Sequence, residues 1–247
     1  MVDSLSPAEL ACCGLILISA YSLRGSTGFG TTAGMPLLAL FVPVKTLIPV
    51  WTLLGIASSV VVLWREARHV SIGAMMRVLP SCLIGTVIGL FLFASFDAPN
   101  LARGLGLLVM AYGVYSFWAT ARPTRRLPPP RSLAPLAGML AGAVGTLFGT
   151  MASIFFAIYL DARRLMKDQF RATISAMLLV LSIARSAGYF AVDAFNFGTI
   201  RILVTAVPLM LLGLYLGNHI HGRLTEVGFR RLISALLFAT GLPLVFR

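Results

Sequence analysis

Apolar residues along this chain are grouped into long runs, separated by short polar or glycine-rich stretches. Many of the runs approach the ~20 apolar residues that a helix needs to cross a membrane. The pattern therefore predicts an all-α integral membrane protein. The predicted segments are residues 8–23, 31–42, 46–64, 72–96, 101–119, 133–147, 151–160, 173–192, 200–220 and 229–246.

The composition agrees with a chain that lies in a lipid bilayer. Hydrophobic residues occupy 58% of the 247 positions and charged residues only 11%, whereas an average soluble domain has about 25% charged residues. These values exclude an ordinary soluble domain and a disordered chain. The length allows roughly eight to ten crossings.

A polar, proline-rich run at residues 122–132 divides the ten segments into two groups of five. Proline does not fit a helix interior, so we interpret this run as a cytoplasmic linker. The second segment of each group is short, which predicts an internal repeat. We interpret residues 1–121 and 133–247 as two transmembrane repeats of inverted topology. The pattern leaves open whether there are ten crossing segments, or eight crossings with two re-entrant hairpins.

The basic residues sort by side of the membrane. The chain has 20 Lys and Arg and 8 Asp and Glu, a formal net charge of +12. With both termini outside, 14 basic residues fall inside and four outside, as the positive-inside rule requires. Arg24 and Arg185 belong to neither group. The inner group is Arg65, Arg68, Arg77, Arg122, Arg125, Arg126, Arg131, Arg163, Arg164, Lys167, Arg171, Arg223, Arg230 and Arg231.

The first interruption of the apolar pattern, residues 24–36, contains four glycines, four hydroxyl side chains and one arginine. Glycine allows successive backbone N–H groups to converge, and a helix N-terminus adds about half a positive charge. Interrupted segments at matching places in inverted repeats indicate the substrate site of a secondary transporter. The alternative is close helix packing through small residues. The predicted anion-binding residues here are Arg24, Ser26, Thr27, Gly28, Gly30 and Thr31.

The second interruption, residues 142–153, lies at the matching place in the other group and has fewer polar side chains. Its predicted substrate-binding residues are Gly145, Gly149, Thr150 and Ser153. Close helix packing is again the alternative.

Arg185 lies deep within the predicted segment 173–192. It is about 18 Å along that helix, just past the middle of a ~30 Å core, where an arginine costs at least ~2.5 kcal/mol. We predict that it binds an anionic substrate, with Tyr189 one turn away adding a hydroxyl. The alternative is that Arg185 extends to the membrane surface. Arg171 is either a positive-inside anchor or part of an access path for the anion.

Other kinds of function have little support in the sequence. Neither a catalytic motif nor a metal-ligand spacing is present, so we expect no enzyme activity, metal or cofactor, and no nucleic-acid partner. A non-transporting scaffold and an intramembrane enzyme remain the alternatives from other classes. The predicted partners are a small anionic substrate and the lipid bilayer, and a homodimer is left open.

Three stretches resemble the sulfite exporter TauE/SafE family: GSTGFGTTAGMPLL at 25–38, GTLFGTMASIFFAIYL at 145–160, and K-x-x-FRAT at Lys167–Thr173. The resemblance implies a small inner-membrane transporter of sulfite or organosulfonates, often an exporter. Where the family usually has a Gly-Gly-Pro-like run, this chain has Ala152-Ser153-Ile154-Phe155. That departure implies a different substrate or a pocket shaped by bulkier residues. We therefore expect export of such an anion by alternating access, with an importer or a carrier of another anion, such as a carboxylate, as the alternative.

Overall fold

The computed structural model describes residues 6–27, 30–121, 132–195, 197–220 and 241–244. Over these ranges the chain is almost entirely helical and contains no β-strand. The α-helices are α1 (Pro7–Thr27), α2 (Gly34–Leu38), α3 (Val44–Glu66), α4 (Ile72–Ser95), α5 (Ala98–Ala121), α6 (Leu133–Phe148), α7 (Ala152–Ala162), α8 (Lys167–Ala191) and α9 (Phe197–Ile220).

Five of the described helices are long and apolar enough to cross a membrane. The spans lie in α1, α3, α4, α8 and α9 and contain 19 to 25 residues each. The prediction of an all-α, multi-pass membrane protein is therefore confirmed. Residues 122–131 of the predicted linker, and the tenth segment apart from 241–244, lie outside the described residues.

The short second segment of each predicted group is a short helix. α2 has 5 residues and α7 has 11, which correspond to about 8 and 16 Å at 1.5 Å per residue. Neither length reaches across a ~30 Å hydrocarbon core. Neither helix is therefore long enough to cross the membrane by itself.

Glycines bring two pairs of helices into backbone contact. A Cβ atom placed on Gly142 of α6 would lie 2.1 Å from the carbonyl oxygen of Cys82 in α4. A Cβ on Gly217 of α9 would lie 2.0 Å from the carbonyl oxygen of Ser22 in α1. Because only glycine permits this approach, α6 is held against α4 and α9 against α1. Each pair joins a helix before the linker to one after it.

Helices α3 and α8 pack against each other in antiparallel directions. Glu66, at the end of α3, forms an ion pair of 3.2 Å with Arg171 near the start of α8. Eleven residues further into each helix, Gly55 of α3 faces Ser182 of α8, with 3.1 Å between a Cβ placed on Gly55 and the serine Oγ. The α3/α8 seam, defined by these four residues, therefore runs from the ion pair to a point about 16 Å deeper.

Buried apolar side chains form two clusters. One is contributed mainly by α1, α2, α3, α5 and α9, and the other by α4, α6, α7 and α8. The α3/α8 seam lies between the two clusters. Several polar residues are buried along it, including Ser58 and Ser59 on α3 and Ser175 and Ser182 on α8.

Candidate functional site

The second interruption is shorter than the sequence pattern predicted. α6 continues to Phe148, and Gly149 and Met151 both adopt left-handed backbone conformations, with φ of 71° and 68°. Such a φ is easy for glycine but uncommon for methionine. The chain reverses over these few residues before α7 begins. Gly145 therefore lies inside α6, where a Cβ would come within 2.7 Å of the Ala152 Cβ.

The first interruption has a related form. α1 runs to Thr27, four residues beyond the predicted segment, so Arg24 lies in its last helical turn. A 3₁₀ turn at Gly30–Thr32 then precedes α2. Gly28 and the side chains of Ser26 and Thr27 lie outside the described residues, and their predicted roles stay predictions.

The two interruptions contact each other. The hydroxyl oxygens of Thr32 and Ser153 are 3.3 Å apart, and the Thr150 hydroxyl donates a 3.4 Å hydrogen bond to the carbonyl oxygen of Thr32. Thr31, Thr150 and Ser153 are buried. The structure therefore brings together two stretches that are about 120 positions apart in the chain.

Arg24 is buried, with 4% of its surface exposed. Its Nη2 donates a hydrogen bond of 2.6 Å to the Ser59 hydroxyl of α3. Its Nε is buried and has no hydrogen-bond partner within the described part of the chain. The guanidinium group therefore has donors to spare.

Arg185 is also buried, with 5% exposed. Its Nη1 donates to the Gly145 carbonyl oxygen at 2.7 Å, and its Nη2 to the Ser182 hydroxyl at 3.3 Å. Like that of Arg24, its Nε has no partner among the described residues. In the described ranges neither arginine forms an ion pair with a carboxylate.

Gly145 belongs to the last turn of α6, whose final four carbonyl groups have no partner within the helix. Arg185 satisfies the carbonyl of Gly145, and the Tyr189 hydroxyl donates to the carbonyl of Thr146. Tyr189 is fully buried, and its ring packs on Phe93 with 4.9 Å between centroids. Helix α8 therefore caps the C-terminus of α6.

Both arginines line one cavity at the deep end of the α3/α8 seam. The cavity has a volume of about 30 Å³, more than the 10–15 Å³ that a single water needs. The polar part of the wall is formed by the two arginines with Thr31, Thr150, Ser153 and Ser182. The less polar part includes Tyr21, Trp51, Leu178 and Ala152.

Several lining residues were not predicted from the sequence. Ser182 precedes Arg185 by three residues, so helical spacing was a usable signal. Tyr21 and Trp51 lie on different helices with ring centroids 5.5 Å apart, and no local pattern sets them apart from core residues. Of the predicted site residues, Gly145 and Tyr189 are not part of the cavity wall that the structure describes.

Arg171 lies away from this cavity, at the other end of the α3/α8 seam. Its ion pair with Glu66 is partly buried, with 15% and 20% of the two side chains exposed. Close by, the backbone N–H of Ser71 donates a hydrogen bond of 2.9 Å to the Thr173 hydroxyl. These contacts fix the junction of α3 and α4 to the start of α8.

The family model for the Sulfite exporter TauE/SafE family matches residues 13–244, nearly the whole chain. The chain belongs to this family. It is 29% identical over 187 residues to the "Probable inner membrane transporter protein TsaS" of Comamonas testosteroni, an alignment that covers 73% of this chain and 74% of TsaS. No solved structure matches. The TauE/SafE chain described here is therefore a multi-pass membrane transporter and not an enzyme, as the sequence predicted.

Proposed function

We propose that this TauE/SafE chain exports sulfite or a small organosulfonate across the cytoplasmic (inner) membrane by alternating access. One observation carries the proposal: Arg24 and Arg185 are both over nine-tenths buried, have only neutral partners in the described chain, and line the same cavity. A buried charge without a counter-charge is costly. A bound anion removes that cost, and the guanidinium donors match the oxygens of a sulfite or sulfonate group.

In this proposal the two arginines supply charge, and Thr31, Thr150 and Ser153 supply hydroxyl donors. Gly149 lets the backbone turn at the cavity, and Gly145 holds Arg185 in place through its carbonyl group. Arg185 therefore has two roles, because it caps α6 and binds the anion. We retain the predicted contributions of Ser26, Thr27, Gly28 and Gly30 as part of the same site.

The proposed orientation places both chain termini outside. The Glu66–Arg171 pair is then at the inner surface, among the basic residues of the loops that adjoin it. The cavity is about 16 Å deeper along the seam, which is half of a ~30 Å core. An interior-negative potential favours outward movement of an anion by about 2.3 kcal/mol per charge per 100 mV, so export needs no coupling ion.

We further propose that the moving units are not the two halves of the sequence. The glycine contacts hold α9 against α1 and α4 against α6. One helix of each sequence half therefore packs on the other half. The alternative units are α1–α3 with α9, and α6–α8 with α4. This exchange supports two inverted repeats, because the first helix of each repeat pairs with the fourth segment of the other repeat.

The test is anion flux from proteoliposomes that contain the purified protein. We expect outward flux of radiolabelled sulfite or sulfoacetate under an interior-negative potential, and its loss in Arg24→Ala and Arg185→Ala. Arg103→Gln, which removes an exposed arginine from α5, is the control and should transport normally. Absence of flux for every anion tested, from a folded protein, would contradict the proposed function.

A further inference from the structure

We propose that the transported anion carries two negative charges. This inference rests on the anion transport proposed above and specifies its substrate class. It follows from the number of uncompensated charges that share the cavity, two guanidinium groups, and from the neutral character of every hydrogen-bond partner the structure gives them.

Both guanidinium groups are positively charged. Arginine is not deprotonated in proteins, and the partners of Arg24 and Arg185 are two serine hydroxyls and one carbonyl group. The chain has eight acidic residues. The six that lie in the described ranges form no ion pair with either arginine.

Helix dipoles are partial charges and do not supply a counter-ion. The end of α6 contributes about half a negative charge, and α7, which begins four positions later at Ala152, contributes about half a positive one. These two contributions offset each other at the second interruption. The two guanidinium groups are therefore the full charges among the lining residues that the structure describes.

A monoanion would neutralise one guanidinium and leave the other as an uncompensated buried charge. A dianion neutralises both, since the remaining lining residues are uncharged. The two unpartnered Nε groups provide donors for it. Tyr21 and Trp51 also line the cavity and offer apolar surface, which suits a short carbon chain between two acidic groups. Sulfite in its fully ionised form and sulfoacetate both meet the charge requirement.

Sulfoacetate and sulfoacetamide test the proposal directly, because they have nearly the same size and differ by one negative charge. Trp51 lines the cavity, so its fluorescence reports binding once Trp64→Phe and Trp118→Phe have removed the other two tryptophans. In this background we expect sulfoacetate to bind at least ~10 times more tightly than sulfoacetamide. The same order of preference is expected in proteoliposome flux.

Substitution of one arginine should change the preferred charge. In Arg24→Gln one guanidinium remains, so we expect the preference for sulfoacetate to disappear or to reverse in favour of sulfoacetamide. Arg24→Lys retains the charge and should retain the preference for sulfoacetate. It shows whether the effect of Arg24→Gln comes from the lost charge or from misfolding. Arg103→Gln, which removes the same charge at an exposed position, should leave the preference unchanged.

Three outcomes would overturn the dianion. They are equal affinity for the two probes in the unmodified site, an equal loss of affinity for both in Arg24→Gln, and sulfoacetamide binding that requires chloride, which would show two monoanions. Each of these still requires an anion to bind, so the proposed function would survive. Failure to bind or transport any anion would contradict the proposed function itself.

Discussion

Arg185 of α8 donates a hydrogen bond of 2.7 Å to the carbonyl oxygen of Gly145 in the last turn of α6. One turn further along α8, Tyr189 donates to the next carbonyl, that of Thr146. Two buried side chains of α8 thus cap the C-terminus of α6. Because Arg185 also lines the cavity, its contribution to stability has to be separated from its contribution to binding.

Arg185→Lys and Arg185→Ala should achieve this separation. The lysine variant keeps the charge but loses the fork of donors, so we expect a folded protein with anion affinity reduced about tenfold or more, roughly 1.4 kcal/mol. The alanine variant leaves the Gly145 carbonyl unpaired and should also lose about 1–3 kcal/mol of stability. Thermal unfolding with and without sulfite measures both effects. Unchanged sulfite affinity in the lysine variant would show that Arg185 is structural only.

Tyr189→Phe removes the second capping group, the Tyr189 hydroxyl, and leaves the ring on Phe93. The Tyr189 hydroxyl faces α6 and the ring is away from the cavity wall, so we expect about 1 kcal/mol lower stability and unchanged anion affinity. Tyr115→Phe, at a residue that is 60% exposed, is the matched control. A fall in affinity without a fall in stability would instead support direct binding by Tyr189, as the sequence first suggested.

The sequence was sufficient for the helices and insufficient for their ends. Apolar runs of about 20 residues mark α3, α4 and α9 closely, because the bilayer requires that length. α8 begins at Lys167, six residues before the predicted segment, since its first turns are polar. The pattern ended the first segment at residue 23, since it took Arg24 as a polar boundary. In the structure α1 continues to Thr27, because the Arg24 guanidinium finds a buried partner in Ser59.

The candidate site shows the same division. Arg185 was identifiable because an arginine deep in an apolar segment needs a special environment. Trp51 and Ser59 were not, because a tryptophan or serine in a membrane helix has many ordinary roles. Which side chains meet in one cavity depends on how α3 crosses α8, and helical periodicity within one segment does not contain that information.

Glu66 and Arg171 provide a test of the access path. The pair is only partly buried, so a double-mutant cycle with Glu66→Gln and Arg171→Gln should give a coupling energy of about 1 kcal/mol in stability. Asp97→Asn, at an exposed acidic residue, should have little effect. We expect unchanged anion affinity in Glu66→Gln, Arg171→Gln and the double variant, because the pair is about 16 Å from the cavity. Slower flux in Arg171→Gln at unchanged stability would instead indicate that Arg171 guides the anion.

The proposed orientation predicts which loops react with a membrane-impermeant maleimide. In a variant that lacks Cys12, Cys13 and Cys82, a cysteine at Asp97 should be labelled in intact cells, since the loop between α4 and α5 is proposed to be outside. A cysteine at His69 should be labelled only after permeabilisation. Both positions are exposed in the structure, so access to the side chain itself is not limiting. The reverse pattern would invert the topology and, with it, the direction argued from membrane voltage.

Gly142→Ala tests the contact that ties α6 to α4. In an open helix position, alanine is more favourable than glycine by up to about 1 kcal/mol. At Gly142 the added Cβ would lie 2.1 Å from the Cys82 carbonyl oxygen, so we expect a net loss of about 1–3 kcal/mol from overpacking. Gly73→Ala is the matched control on α4, because a Cβ there has no neighbour within 4 Å in the described chain, and it should be neutral or stabilising. Unfolding in detergent compares the two variants. If Gly142→Ala were as stable as Gly73→Ala, the helices would separate at little cost, and α4 and α6 would not form one moving unit.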